Sequence, residues 1–244
     1  MNNALLKLVI VAGTVTVSAL GFEGIAEAAT FNYFDGTFND SDWTQALQAT
    51  GSPAVETAEQ SFTGGNPDSF RLMTHTWGGG IQGAVFHLNN TAIYDPSTQG
   101  AIESIDYSAD VIGFNDDPGV FGDGLLLQQA GRLFISQFTA VRFPSSSWQT
   151  KSVSDLTSDG FLALDGGDFP DFSAEGAAIA FGYIRTNTLP GAVTTIEHGI
   201  DNWSVSVTNI STTTSVPESN FVLGLLAIAS FSLGSTLQRK QKQK

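Results

Sequence analysis

Alternation with a period of two, broken at intervals of roughly 8 to 15 residues by turn signals, is the feature that most constrains this chain. Ile105, Tyr107, Ala109 and Val111 share one face of a run whose other face carries Asp106, Ser108 and Asp110. Ser69 to Trp77 alternates in the same way, with Phe70 and Leu72 opposite Arg71, Met73 and His75. Leu125 to Gln128 and Arg132 to Phe138 read as a hairpin about Ala130-Gly131. Trp148 to Val153, Phe161 to Leu164, Ala177 to Arg185 and Ile200 to Thr208 complete the set. Between the runs lie segments of strong turn chemistry, such as Gly64-Gly65-Asn66-Pro67-Asp68 and Asn115-Asp116-Asp117-Pro118-Gly119. No long stretch carries a 3.6-residue period. About ten short strands predict an all-β domain, a jelly-roll β-sandwich, over residues 29–210.

The two ends differ from this middle. Residues 1–28 have the form of a secretory signal: Lys7, an apolar run from Leu8 to Leu20, and the small residues Ala26 and Ala28 that a signal peptidase reads. Residues 211–215 form a Ser/Thr linker. Residues 216–244 carry Val216-Pro217-Glu218-Ser219, an apolar stretch from Phe221 to Leu237, and Arg239, Lys240, Lys242 and Lys244. As a transmembrane helix that stretch reaches about 25 Å, slightly short of a bilayer core, with the cations on the cytoplasmic side.

The C-terminal order of parts resembles the PEP-CTERM sorting tail of Gram-negative bacteria. Pro217 and Glu218 match the first two positions of its Pro-Glu-Pro signature, and Ser219 stands in place of the second proline. The resemblance implies recognition by an exosortase-type membrane protease. It also implies a membrane-anchored stage before processing, then the cell surface or extracellular matrix; whether the tail is cleaved or kept stays open. It says nothing of the middle domain.

The middle opens with Phe31-Asn32-Tyr33-Phe34-Asp35-Gly36-Thr37-Phe38 and Asp42-Trp43-Thr44. It closes with Gly199-Ile200-Asp201-Asn202-Trp203-Ser204-Val205-Ser206-Val207. This pattern resembles the jelly-roll domains of carbohydrate-binding modules and concanavalin-like lectins. The resemblance implies that the first and last strands pair. It also implies a structural Ca²⁺ near their junction, for which Asp35 and Asp201 are the candidate ligands. The alternative for Asp201 is a turn-ending residue. No other cofactor is indicated.

Charge and composition narrow the partners. Between residues 29 and 210 there are five Lys and Arg against 21 Asp and Glu, a net charge of −16. Such a surface repels nucleic acid and anionic lipid, so contact with a membrane is expected only through the C-terminal helix. There is no cysteine, which excludes thiolate metal sites and disulfides. No G-x-S-x-G, H-E-x-x-H or P-loop motif is present. His75, His87 and His198 are far apart in sequence and read as ordinary strand or loop residues. The loop from Asn115 to Asp123 lacks EF-hand spacing, so its aspartates read as a solvated turn. Glycosidases set two carboxyls about 5–9.5 Å apart. Asp106 and Asp110 share a face but lie about 13 Å apart along a strand. Carboxylates from separate strands could still meet.

A bound sugar stacks on an exposed aromatic ring. Trp77, at a strand end before Gly78-Gly79-Gly80, is the candidate platform, with core or rim packing as its alternative, and Trp203 reads as core. The expected protein is therefore exported, surface-sorted and non-catalytic, binding extracellular polysaccharide or forming part of the matrix. Two alternatives stand beside it: a purely structural surface protein without a small ligand, and a glycoside hydrolase on a lectin scaffold.

Overall fold

The computed structural model describes residues 28–50, 54–78, 81–115, 120–142, 144–189 and 193–210, all within one unit, Glu27–Thr212. The linker, the sorting tail and the signal segment up to Glu27 lie outside the described residues. The described chain forms two antiparallel sheets. Sheet A runs in the order β10 (Gln149–Leu156), β6 (Ile102–Gly113), β13 (Thr194–Asn209), β4 (Asp68–Trp77) and β3 (Ala54–Gly65). In this sheet β1 (Thr30–Asp35) also pairs with β13. Sheet B runs β11 (Leu162–Ala163), β8 (Arg132–Ile135), β7 (Val120–Gln129), β12 (Ile179–Leu189), β5 (Ile81–Tyr94) and β2 (Trp43–Thr50). Beside β7 lies the short β9 (Thr139–Arg142). The longest α-helix among the described residues is Pro96–Gln99, and none is long and apolar enough to cross a membrane.

The first strand pairs with the last, from Thr30 opposite Thr208 to Asp35 opposite Trp203. The three strands that pair with β13 rest on its alternation. Ile196, His198 and Ile200 are buried at even positions, then Trp203, Val205 and Val207 at odd ones. The one-residue change of phase is a bulge between Asp201 and Ser204, where Asn202 takes a left-handed conformation with φ 48°. Asp201 keeps the outward place of the first phase, and the bulge after it lets Trp203 enter the core. The hairpin between β7 and β8 turns on Ala130 (φ 50°) and Gly131 (φ 78°), the paired left-handed geometry that suits the twist of two-residue hairpins.

Strands β3 and β5 are not legible as alternating runs. On β5, Val85 and His87 face the core, while Phe86 joins Leu126 and Ile184 in a second apolar cluster, packed with Ala84 and Leu88. A strand that is apolar on both faces gives no period of two. The main core between the sheets is rich in rings. Trp43 meets Trp203 edge to face at 5.2 Å and Phe38 face to face at 5.4 Å, while Phe31 packs on Tyr94 at 5.3 Å.

Gly83 lets β5 pass beneath the Trp77 ring, since a Cβ there would lie 2.6 Å from it. Replacing Gly83 with Ala is expected to cost about 1–3 kcal/mol through overpacking. Urea unfolding followed by tryptophan fluorescence measures it; a stability equal to that of the parent would show that the ring has room to move.

Candidate functional site

Asp110 on β6 and Asp201 on β13 are register partners across neighbouring strands. Like charges at such a position repel, so the pair persists only because protein donors surround it. Asn66 donates its backbone N–H to Asp201 Oδ2 and its side-chain amide to Asp110 Oδ2, the latter at 3.0 Å. Asn202 donates its backbone N–H to Asp201 Oδ1 at 2.7 Å and its amide to Asp110 Oδ2 at 2.8 Å. Thr150 on β10 donates its hydroxyl to Asp110 Oδ1. Burial, ahead of the neighbouring Asp110 and Asp35 charges, pushes the Asp201 carboxyl up, against the pull of the two backbone N–H groups. The cluster pins the tip of the β3–β4 hairpin over the outer face of sheet A. Carboxylates from separate strands do meet here, but all four oxygens accept hydrogen bonds from the protein. This arrangement positions a loop rather than a nucleophile or a general acid.

An aromatic corner adjoins the cluster. The Trp148 and Phe70 rings lie over Gly199, where a Cβ would come within 2.9 Å of both. Trp148 and Phe70 meet edge to face at 5.3 Å, and Phe114 packs at 5.7 Å from Phe70. Trp148 Nε1 donates to the Gly64 carbonyl at 3.1 Å. Phe70 is buried, Trp148 is partly exposed and Phe114 is 41% exposed. Beyond this corner the sheet face continues as a hydroxyl row, in which Ser152, Ser108 and Ser204 stand side by side and Phe34 ends the row.

The candidate residues from the sequence fall in different places. Asp35 Oδ1 accepts from the backbone N–H groups of Thr37 and Phe38, both at 2.8 Å, and from the Thr37 hydroxyl. Its Oδ2 accepts from Trp43 Nε1 at 2.8 Å. Asp35 therefore shapes the turn after β1 and aims Trp43 into the core. Asp201 belongs to the cluster above. Among the described residues no group of three or more His, Asp or Glu side chains is placed to hold a metal ion. Trp77 is a correction. It is 0% exposed and stacks on His75 at 5.1 Å with 7° between the rings, so it offers no platform to a ligand. The reason is parity: Trp77 shares the inward face of β4 with Arg71, Met73 and His75. Trp148, which sequence reasoning passed over, is the tryptophan that reaches the surface. Its signal is weak: it follows Ser145-Ser146-Ser147 at the start of an edge strand.

A second correction concerns the interior. Asp123 is no part of a solvated turn; it is buried on β7 and paired with Arg185 of β12, and both side chains are 0% exposed. The Tyr107 hydroxyl reaches both Asp123 oxygens at 3.1 Å from the opposite sheet. The three histidines, separate in sequence, are all buried between the sheets, where His75 and His198 touch. His75 Nδ1 lies 2.8 Å from Asn187 Oδ1 and 3.4 Å from His198 Nε2. His87 stacks on Tyr183 at 4.4 Å. Burial holds His75 down at about 4 and keeps His87 and His198 well below the ordinary histidine range.

No protein-family model matches the chain, and no curated protein matches it. Solved structures do resemble it in layout. One is the family 11 carbohydrate-binding module from Clostridium thermocellum in complex with a beta-1,3-1,4-mixed-linked tetrasaccharide. It is 9% identical with a TM-score of 0.44, over 73% of this chain and 95% of that one. Another is the C-terminal family 22 carbohydrate-binding module of the same organism, 14% identical with a TM-score of 0.38, over 75% of this chain and 95% of that one. A third is the enzymatically active domain of Bacteriophage CBA120 tailspike protein 4. It is 12% identical with a TM-score of 0.38, over 70% of this chain and 20% of that one. The functional argument rests on this chain's own residues.

Replacing Asp35 with Ala leaves Trp43 Nε1 and two backbone N–H groups without their acceptor. The expected loss is about 2–3 kcal/mol in urea unfolding. A loss below about 0.5 kcal/mol would mean that water replaces the carboxylate.

Proposed function

We propose that this protein is exported, sorted to the cell surface and there binds extracellular polysaccharide through its sandwich, without catalysis. The observation that supports the binding reading is the partly exposed Trp148, with Phe114 beside it, next to amide, hydroxyl and carboxylate groups on an open sheet face. A pyranose presents an apolar face that stacks on such a ring and hydroxyls that bond to such groups. Charge narrows the class of glycan. Arg71 and Arg185 are buried, and Arg132 is taken up by Asp165, which leaves few cations against 21 acids. A neutral or amino-sugar polymer is favoured over one bearing uronate, sulfate or phosphate.

Affinity electrophoresis of the protein through neutral, basic and acidic polysaccharides tests this. A neutral or basic polymer is expected to retard it, and Trp148→Ala or Phe114→Ala to weaken that retardation about tenfold, in keeping with about 1–3 kcal/mol for one stacked ring. Unchanged retardation in both variants would remove this corner as the site. No retardation of the parent by any polymer would leave the purely structural reading. That reading is supported by the internal satisfaction of the Asp110–Asp201 pair. The same satisfaction weighs against a hydrolase.

The sorting reading rests on the sequence of residues 216–244. In it an exosortase-type protease acts at Pro217-Glu218-Ser219 after signal peptidase has cut behind Ala28, and the jelly-roll domain then reaches the surface or matrix. In a host that has the sorting protease, Glu218→Ala is expected to accumulate as the uncut, membrane-bound form on fractionation. Normal processing of that variant would reduce the tail to a membrane anchor.

A further inference from the structure

A further exposed ring, Phe34, stands on the outer face of sheet A, away from the Trp148 corner. It is 67% exposed on β1, whose other outward residues, Thr30 and Asn32, are polar, while Phe31 and Tyr33 pack inward on the core. A single apolar side chain on a surface is ordinary. Phe34 is set apart by how it is held. Gly36 has no side chain, and a Cβ there would lie 3.1 Å from Phe34 Cζ and 3.3 Å from Asn202 Oδ1. The ring therefore lies over Gly36 and beside Asn202. The turn beneath it is fixed in its own right, because Asp35 Oδ1 accepts from the N–H groups of Thr37 and Phe38. A ring fixed before a ligand arrives loses little freedom on binding. Register ties Phe34 to Trp148. Phe34 stands opposite Ser204, Ser204 opposite Ser108, and Ser108 opposite Ser152. Ser152 lies four residues after Trp148, with the same parity. Three strand spacings and four residues of rise set the Phe34 and Trp148 positions about 20 Å apart on one face. Between them the β3–β4 tip rests on the Asp110–Asp201 pair and leaves Asn66 and Asp68 exposed. Beside Phe34, Asn32 Oδ1 accepts from the Ser206 hydroxyl at 2.7 Å. Phe34 thus joins an apolar surface to hydroxyl and amide groups, as Trp148 does.

We propose that Phe34 is a second sugar-stacking platform, and that one extended polysaccharide chain engages Phe34 and Trp148 together across the β3–β4 tip. The inference rests on the glycan reading above and deepens it: the ligand is a long chain rather than a short sugar. A disaccharide covers one ring. A chain that reaches both rings makes the second contact intramolecular, so affinity rises steeply once the oligomer spans the gap and little beyond that length.

Isothermal titration of the full chain with cellulose-derived and chitin-derived oligomers, from dimer to hexamer, tests this; both series are uncharged and extended. The parent is expected to bind the hexamer of one series about tenfold more tightly than its dimer, the gain from one further stacked ring. Phe34→Ala is expected to lose that gain and to keep the dimer affinity, since Trp148 still takes a short sugar. Phe34→Trp retains a ring and is expected to retain the gain. Urea unfolding of both variants, followed by tryptophan fluorescence, confirms that they fold. Equal affinity of the parent for dimer and hexamer would overturn the proposal. So would an unaltered hexamer affinity in Phe34→Ala; if Trp148→Ala is weakened at the same time, the Trp148 corner stands alone as the site. Failure of the parent to bind either series also rejects the two-platform chain, and the electrophoresis above then decides the glycan reading separately.

Discussion

Arg185 and Asp123 meet as register partners on neighbouring strands, with neither side chain open to solvent. Burying two such charges costs several kcal/mol per ion before their attraction is counted, so the pair persists only with good geometry and further hydrogen bonds. Those come from across the sandwich, where the Tyr107 hydroxyl bonds both Asp123 oxygens. The guanidinium also lies over the Phe121 and Tyr183 rings at 5.0 and 5.4 Å. One interaction therefore sets the register of β12 on β7 and the approach of β6 from the other sheet. Burial first, with the nearby Arg185 charge behind it, keeps the neighbouring histidines neutral. A slip of β12 by one residue would carry Arg185 to the outer face and set Ile184 or Thr186 opposite Asp123.

Strand β13 does for sheet A what that pair does for the interior. It pairs with β4 along its first half, with β1 along its second, and with β6 on its other side. The bulge at Asp201-Asn202 separates the halves. Asp201 keeps its outward place and meets Asp110 there, and because the phase changes after it Trp203 enters the core. The Asn66 loop then closes over the two carboxylates, and the aromatic corner stands beside it. The candidate binding face is thus a consequence of one extra residue in one strand.

Much of this was legible from residue order. The faces of Ile105 to Val111, the hairpin at Ala130-Gly131 and the burial of Trp203 follow from local pattern and turn chemistry. The edges of the reading failed for identifiable reasons. On β4 the more apolar pair, Phe70 and Leu72, lies on the outer side, while Arg71 and His75 are inside with Met73 and Trp77. A polar residue enters a core only when distant residues supply its partners, and Asp40, Asn187 and His198 are all far from β4 in sequence. Trp77 was misread for the same reason, and Asp123 because its partner lies 62 residues away.

By itself the sequence determined the class of fold, an acidic all-β domain without cysteine, because alternation and turn residues act over a few neighbouring positions. The ends carry their own local signals and are read without reference to the domain. Only the tertiary structure decided which faces are inside, that three histidines share one interior, and that Asp110 and Asp201 stand together beside Trp148. Those outcomes depend on pairing between strands a hundred residues apart. The energy of each buried charge or ring is settled by its cross-strand and cross-sheet partners, which no local window contains.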